Sequence, residues 1–184
     1  MSDHNADLFV VSGGPGSGKT TLLDELARLG YPFAPEDARQ IIQEQVRLGG
    51  TALPWADREA YTRLMLQRSI ETYLRHSPSA ELIFFDRGIP DTLGYARLIG
   101  LSDDSHIQDA CRQYRYAPAV FLLPPWREIY TTDTERKQDF AEAERTFEVI
   151  RQVYSDCGYH TIEVPHTNSE NRAKFVLRQV DRKI

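Results

Sequence analysis

The stretch Leu8-Phe9-Val10-Val11-Ser12-Gly13-Gly14-Pro15-Gly16-Ser17-Gly18-Lys19-Thr20 decides the fold, because an apolar run leads straight into the pattern G-x-x-x-x-G-K-[ST]. That pattern is a phosphate-binding loop, and it works only with a strand before it and a helix after it. Leu8 to Val11 suit a buried parallel strand, and Leu22, Leu23, Leu26 and Leu29 recur afterwards at helical spacing. Glycines let the backbone turn tightly and approach a ligand, so that successive N–H groups and the positive end of the helix face the phosphates. The expected cradle is Gly13, Gly14, Pro15, Gly16, Ser17, Gly18, Lys19, Thr20 and Thr21. Lys19 reaches the β- and γ-phosphates and the Thr20 hydroxyl holds Mg²⁺.

Outward from the loop, short apolar runs alternate with amphipathic stretches, the pattern of an α/β fold with a parallel sheet. Further strands are expected at Tyr31 to Ala34, Leu82 to Phe85, Ala119 to Leu123 and Thr161 to Val164. Helices are expected from Glu36 or Asp37 to Gly49-Gly50, through Leu66, Ile70, Tyr73 and Leu74 to just before Pro78, and from Asp91 to Ile99. Phe140, Ala143, Phe147, Ile150, Tyr154 and Cys157 mark a long amphipathic helix. Thr167 and Glu170 fit a capping box for a last helix carrying Ala173, Val176, Leu177 and Val180. The segment from Trp126 to Lys137, rich in charge and threonine, reads as a loop with partial helix.

At 184 residues and 41% hydrophobic, the chain fits one domain spanning residues 1–184, with the polar tail before Asp7 disordered. A net charge of −5 with scattered basic residues argues against a nucleic-acid groove. The two cysteines, Cys111 and Cys157, form no C-x-x-C pair, and the five histidines show no metal-ligand spacing. No signal peptide or membrane span is visible, so a reducing, cytoplasmic setting is expected.

The candidates for chemistry cluster at expected strand ends, where ligands bind in open parallel sheets. Asp86 ends the Leu82 to Phe85 run as the carboxylate that orients Mg²⁺ beside the phosphate loop. Arg87 follows it, either as a clamp on phosphate or acceptor or as a surface ion pair. Glu36, Asp37 and Arg39 follow the second strand. Glu36 is the first choice for accepting a hydroxyl proton, with Asp37 and Asp91 as competitors, although acids also favour the first turn of a helix. Arg127, Arg136 and Lys137 bracket the loop after the fourth strand. Cations on a closing loop stabilise the charge of phosphoryl transfer, and Glu135, Asp133 and Asp139 could instead satisfy them. Trp126 reads as a hinge-packing residue or a stacking surface for a base.

These residues carry a resemblance. Gly13 to Thr20, Pro35-Glu36-Asp37-Ala38-Arg39, Phe85-Asp86-Arg87-Gly88 with Asp91, Phe121-Leu122-Leu123-Pro124-Pro125-Trp126, and Glu135 to Phe140 with Ala143 and Arg145 resemble the small P-loop kinase-like ATPases grouped as an AAA domain family. Nicotinamide riboside kinases, thymidylate kinases and deoxynucleoside kinases are more distantly similar. The resemblance covers roughly Leu8 to Val180. It implies a three-layer P-loop NTPase fold with a five-stranded parallel sheet in the order 2-3-1-4-5, and a lid over residues 125–137. It also implies ATP and Mg²⁺ as cofactors, with Glu36 and Asp86-Arg87 serving acceptor and metal and Arg136 on the lid. No N-K-x-D run for guanine is present. The expected function is transfer of the γ-phosphate of ATP to a small nucleoside, nucleotide or related metabolite. A regulatory nucleotide switch read by a protein or lipid is the alternative.

Overall fold

Strands Leu8–Gly13 (β1), Phe33–Ala34 (β2), Ile83–Asp86 (β3), Ala119–Leu123 (β4) and His160–Glu163 (β5) form one sheet in the order β2-β3-β1-β4-β5 in a computed structural model of the protein. All pairings are parallel. The structure describes residues 7–14, 16–79, 81–129 and 140–181. Seven α-helices are described: Lys19–Arg28 (α1), Asp37–Leu48 (α2), Arg58–His76 (α3), Ile89–Leu98 (α4), Ser105–Gln113 (α5), Phe140–Asp156 (α6) and Ser169–Asp181 (α7).

Alternate residues of a strand face opposite sides, so a sheet covered on both faces must be apolar throughout. β1 meets that condition. Leu8 and Val10 pack with residues of α3, α4, α5 and α6, whereas Phe9 and Val11 pack with Leu22, Leu23 and Leu26 of α1 and Ala173, Val176 and Val180 of α7. Phe84 is fully buried between these layers, its ring centroid 6.0 Å from that of Phe9 and 6.5 Å from that of Phe121. Truncating such a residue to alanine costs about 3–5 kcal/mol.

The structure departs from the sequence reading at five points. Helix α5 was not anticipated, because only Ile107, Ala110 and Cys111 face the core from it. The second strand is two residues long rather than four. α4 begins at Ile89, before the expected Asp91, since Pro90 is compatible with a helix's first turn. Asn168 rather than Thr167 caps α7, its side-chain oxygen accepting from the Asn171 N–H at 2.9 Å. Leu29 and Leu74, read as apolar-face residues, are 42% and 50% exposed.

Register positions the site. β1 pairs with β3 only as far as Val11 opposite Asp86, yet with β4 as far as Gly13 opposite Leu123. A notch therefore opens where β3 stops and β1 continues. In this strand order the chain leaves β1 toward one side of the sheet and later crosses to the other, which makes the notch a topological switch point.

Candidate functional site

At the carboxyl end of β1, Gly13 runs so close to β4 that an added Cβ would stand 2.4 Å from the Leu123 carbonyl oxygen. Gly18 precedes α1 in the left-handed region (φ 84°), and a Cβ there would meet Arg172 Nη1 at 2.7 Å. The Ser17 hydroxyl donates to the Gly14 carbonyl at 2.8 Å and pins the loop on itself. No side chain caps α1, so its first-turn N–H groups remain for an anion. Lys19 is 9% exposed. Burial and then the Arg87 charge depress its pKa, against the pull of Asp86, Glu36 and Asp91. Thr20 and Thr21 are exposed on the first turn of α1.

Beyond β3 the chain turns through Arg87, whose φ of 73° is the one positive value outside glycine among the described residues. Such a conformation costs of order 1–3 kcal/mol and persists only where surroundings over-determine it. Here they do. The Arg87 N–H donates to the Val11 carbonyl (3.0 Å), Nε to Glu36 (2.8 Å), and Nη1 to both the Gly13 carbonyl (3.1 Å) and Asp91 (3.2 Å). The ion-pair reading of Arg87 is borne out, with the pairs to Glu36 and Asp91 mostly internal rather than at the surface, so that the side chain joins β1, the start of α2 and the start of α4.

Asp91 is 4% exposed and accepts four hydrogen bonds: from the Ser12 hydroxyl (2.5 Å), Arg87, the Gly88 N–H (2.9 Å) and the Tyr154 hydroxyl (2.5 Å). Asp86 is the opposite case. Its Oδ1 is buried with no hydrogen-bond partner among the described residues. Burial raises its pKa, with Lys19 and Arg87 offsetting only part of the effect. An orphaned hard oxygen beside a phosphate loop is the donor type that Mg²⁺ takes.

On the far side of Asp86 and Arg87 lies a cleft whose walls include Glu36, Asp37, Ser69, Thr72 and Tyr116. Burial works against the Glu36 carboxylate, but Arg87, Lys19 and Arg39 together outweigh it and hold its pKa below the ordinary range. Asp37 accepts from the Thr72 hydroxyl at 3.1 Å, and burial carries its pKa upward. Arg39 is exposed and off the cleft wall, acting on Glu36 by charge.

Across the phosphate loop, Arg172 of α7 donates from Nη1 to the Ser17 carbonyl (3.0 Å) and from Nε to the Pro165 carbonyl (3.0 Å). Its guanidinium lies 5.0 Å over Trp126, which stacks flat on His166 with centroids 5.1 Å apart. Arg172 Nη2 is another buried polar atom without a hydrogen-bond partner among the described residues. Arg127 lies 4.1 Å over the Phe140 ring. Pro15, Arg136 and Lys137 lie outside the described residues. Ser12, Tyr154 and Arg172 are the site residues that sequence reasoning missed. Two carried a signal: a serine inside an apolar strand, and an arginine on the same helical stripe as Val176 and Val180.

No group of three metal-ligating side chains is found among the described residues. Among the same residues no helix is long and apolar enough to cross a membrane.

A sequence profile of the family described as AAA domain matches residues 8–172. No curated protein sequence matches the chain. Among solved structures, the chain is similar to the NadR protein in complex with NR, at 19% identity and a TM-score of 0.71, covering 96% of this chain and 50% of that one. It is similar to the thymidylate kinase from Ehrlichia chaffeensis, at 17% identity and 0.60, covering 96% and 99%. It is also similar to shikimate kinase from Acinetobacter baumannii in complex with shikimate, at 17% identity and 0.59, covering 97% and 94%. At these identities the likeness is one of fold, and this chain spans half of the NadR chain.

Proposed function

The chain belongs to the AAA domain family of P-loop, nucleotide-binding proteins, and on that premise we propose that it transfers the γ-phosphate of ATP to a small-molecule acceptor. One observation carries the proposal: an acid-lined cleft, with Glu36 and Asp37 on its wall, adjoins Asp86 and Arg87 at the end of the sheet that holds the phosphate loop. A nucleotide switch needs the loop alone. A transferase needs a second recess within reach of the same γ-phosphate.

In this reading the loop N–H groups and Lys19 hold the β- and γ-phosphates. The Thr20 hydroxyl and the orphaned oxygen of Asp86 would hold Mg²⁺, which when bound neutralises charge on the phosphate oxygens. Glu36, kept ionised by Arg87 and Lys19, orients the acceptor hydroxyl and accepts its proton. A weak base suffices there, because the loose transition state of phosphoryl transfer asks chiefly for alignment. Arg87 and Asp91 fix that alignment from behind. Trp126 and His166 offer an aromatic surface for the base of the nucleotide, and residues 125–137 with Arg136 act as the lid. The acceptor is a nucleoside, nucleotide or related metabolite, and the setting is cytoplasmic.

The test is ATP consumption with Mg²⁺ across a panel of nucleosides, nucleotides, vitamins and small polyols, with mass spectrometry of the products. A phosphorylated acceptor and slow hydrolysis without it support the proposal. Hydrolysis indifferent to every acceptor, with Glu36→Gln unchanged, would make the chain a regulatory nucleotide switch instead.

A further inference from the structure

Between α4, α5 and α6, away from the phosphate loop, lies a cavity of about 210 Å³. Its wall includes Arg97, Cys111, Arg112, Arg115, Asp156 and Cys157. Three of these charges are accounted for: Arg97 pairs with Asp156 at 2.7 Å, and Arg112 pairs with Asp109. Arg115 is different. It is 7% exposed, and no described carboxylate pairs with it. Its guanidinium lies 4.1 Å over the Tyr159 ring, Nη1 donates to the Cys111 carbonyl at 3.2 Å, and Nε has no hydrogen-bond partner among the described residues.

A buried cation without a counter-charge is unfavourable unless something nearby supplies the negative charge. Asp156, the acid on the cavity wall, is already held by Arg97 and Gln152. The remaining source is the thiol pair. Cys111, 2% exposed on α5, and Cys157, partly exposed just past the end of α6, line this cavity together, and Cys157 packs against the buried cluster that holds Cys111.

We propose that Cys157 and Cys111 form an oxidant-reactive dithiol, a modification site in which Cys157 attacks a hydroperoxide and Cys111 resolves the product into an intramolecular disulfide. The directions of titration agree with these roles. The neighbouring Cys111 thiol, with Arg115 and Arg97 adding to it against burial, lowers the Cys157 pKa. The proximity of Cys157, followed by burial, raises that of Cys111. Redox-sensing cysteines have this combination: a partly accessible thiolate beside a cation and a resolving thiol.

The chemistry balances with hydrogen peroxide as oxidant. The Cys157 thiolate attacks one peroxide oxygen; the S–O bond forms, the O–O bond breaks, and hydroxide leaves to take up the proton that Cys157 released. Cys111 then attacks the sulfenic sulfur. The S–S bond forms, the S–O bond breaks, and the departing hydroxide leaves as water with the Cys111 proton. Two thiols lose two electrons and one peroxide becomes two waters.

The experiment treats the full chain with equimolar hydrogen peroxide and follows intact mass without reductant, with glutathione as the free-thiol reference. The expected result is loss of two hydrogen atoms, about tenfold faster than glutathione oxidation at neutral pH. A non-reduced digest should link the peptides bearing Cys111 and Cys157, and dithiothreitol should reverse the change. In Cys111→Ser the reaction should stop at a dimedone-reactive sulfenic acid on Cys157, and in Cys157→Ser Cys111 should stay reduced. Oxygen addition without a link in the wild-type chain, reaction no faster than glutathione, or undiminished reactivity of Cys111 in Cys157→Ser would each overturn the proposal. The wild-type digest decides even if a variant fails to fold.

Discussion

The end of β3 and the first turn of α4 each present an aspartate to the same notch, and the two are treated in opposite ways. Asp91 accepts four hydrogen bonds in a closed network with Ser12, Arg87, Gly88 and Tyr154. Asp86, five residues earlier, buries an oxygen that nothing described in the protein satisfies. Burying an unpaired polar atom is costly, and a fold retains one where a ligand completes it. The saturated carboxylate is thus built into the fold, whereas for the unsaturated one the proposed role in holding Mg²⁺ would supply the missing partner. Lys19 belongs with Asp86: burial and the Arg87 charge depress its pKa, against the pull of the carboxylates around it.

The comparison breaks most visibly at Lys19. Lys19→Ala should lower turnover about 10²- to 10³-fold, as losing one preorganised charge contact does, and should weaken a non-hydrolysable ATP analogue in calorimetry. The melting temperature should not fall, because the substitution removes a buried charge from a loop and opens no core cavity.

Asp91→Asn sharpens the other side. It turns one acceptor toward donors as an amide N–H, at a cost of about 2–3 kcal/mol. For a chain of this size that is a fall of roughly 5–10 °C in melting temperature, readable by calorimetry, with turnover measured well below the transition reduced less than in Lys19→Ala.

Glu36→Gln should slow transfer to a hydroxyl acceptor about tenfold while sparing ATP binding. For an acceptor that is already a phosphate the loss should be smaller. An equal loss in both would make Glu36 only an anchor for Arg87.

The smallest effect is one of pH. Asp86 has a raised pKa in the fold, so it takes a proton at a higher pH than an ordinary aspartate as the solution is acidified, and in the proposed role it would release Mg²⁺ there. Glu36 has a lowered pKa; its pairing with Arg87 stabilises the fold above the ordinary glutamate value and is lost only as pH falls through the depressed one. The acid limb of Mg²⁺-dependent activity should thus lie above the acid limb of unfolding. Coincident limbs would contradict this ordering.

What was legible in the sequence was what is local. The strand, loop and helix around Gly13 to Thr20 could be read because each residue's place depends on its neighbours, and the position of Asp86 at the end of β3 because it closes an apolar run. α5 was missed because nine residues with three apolar positions give little periodicity. The network itself was beyond reach: Ser12 meets Asp91 across 79 residues, Tyr154 meets it across 63, and Arg172 meets Ser17 across 155. Tyr154 sits on the apolar stripe of α6, and nothing in its spacing separates a hydroxyl that braces an acid from an ordinary core ring. Asp91 looked like a competitor for the proton because a carboxylate's hydrogen-bond saturation is invisible without the fold.

The most direct test is the Mg²⁺ dependence of ATP-analogue affinity, measured by calorimetry in the wild-type chain, Asp86→Asn and Asp91→Asn at one temperature below all three melting transitions. The account predicts that Asp86→Asn retains its melting temperature but loses the gain in affinity that Mg²⁺ gives the wild type, whereas Asp91→Asn melts earlier and keeps that gain. If Asp86→Asn responds to Mg²⁺ like the wild type while Asp91→Asn does not, the proposed roles of the two carboxylates are contradicted.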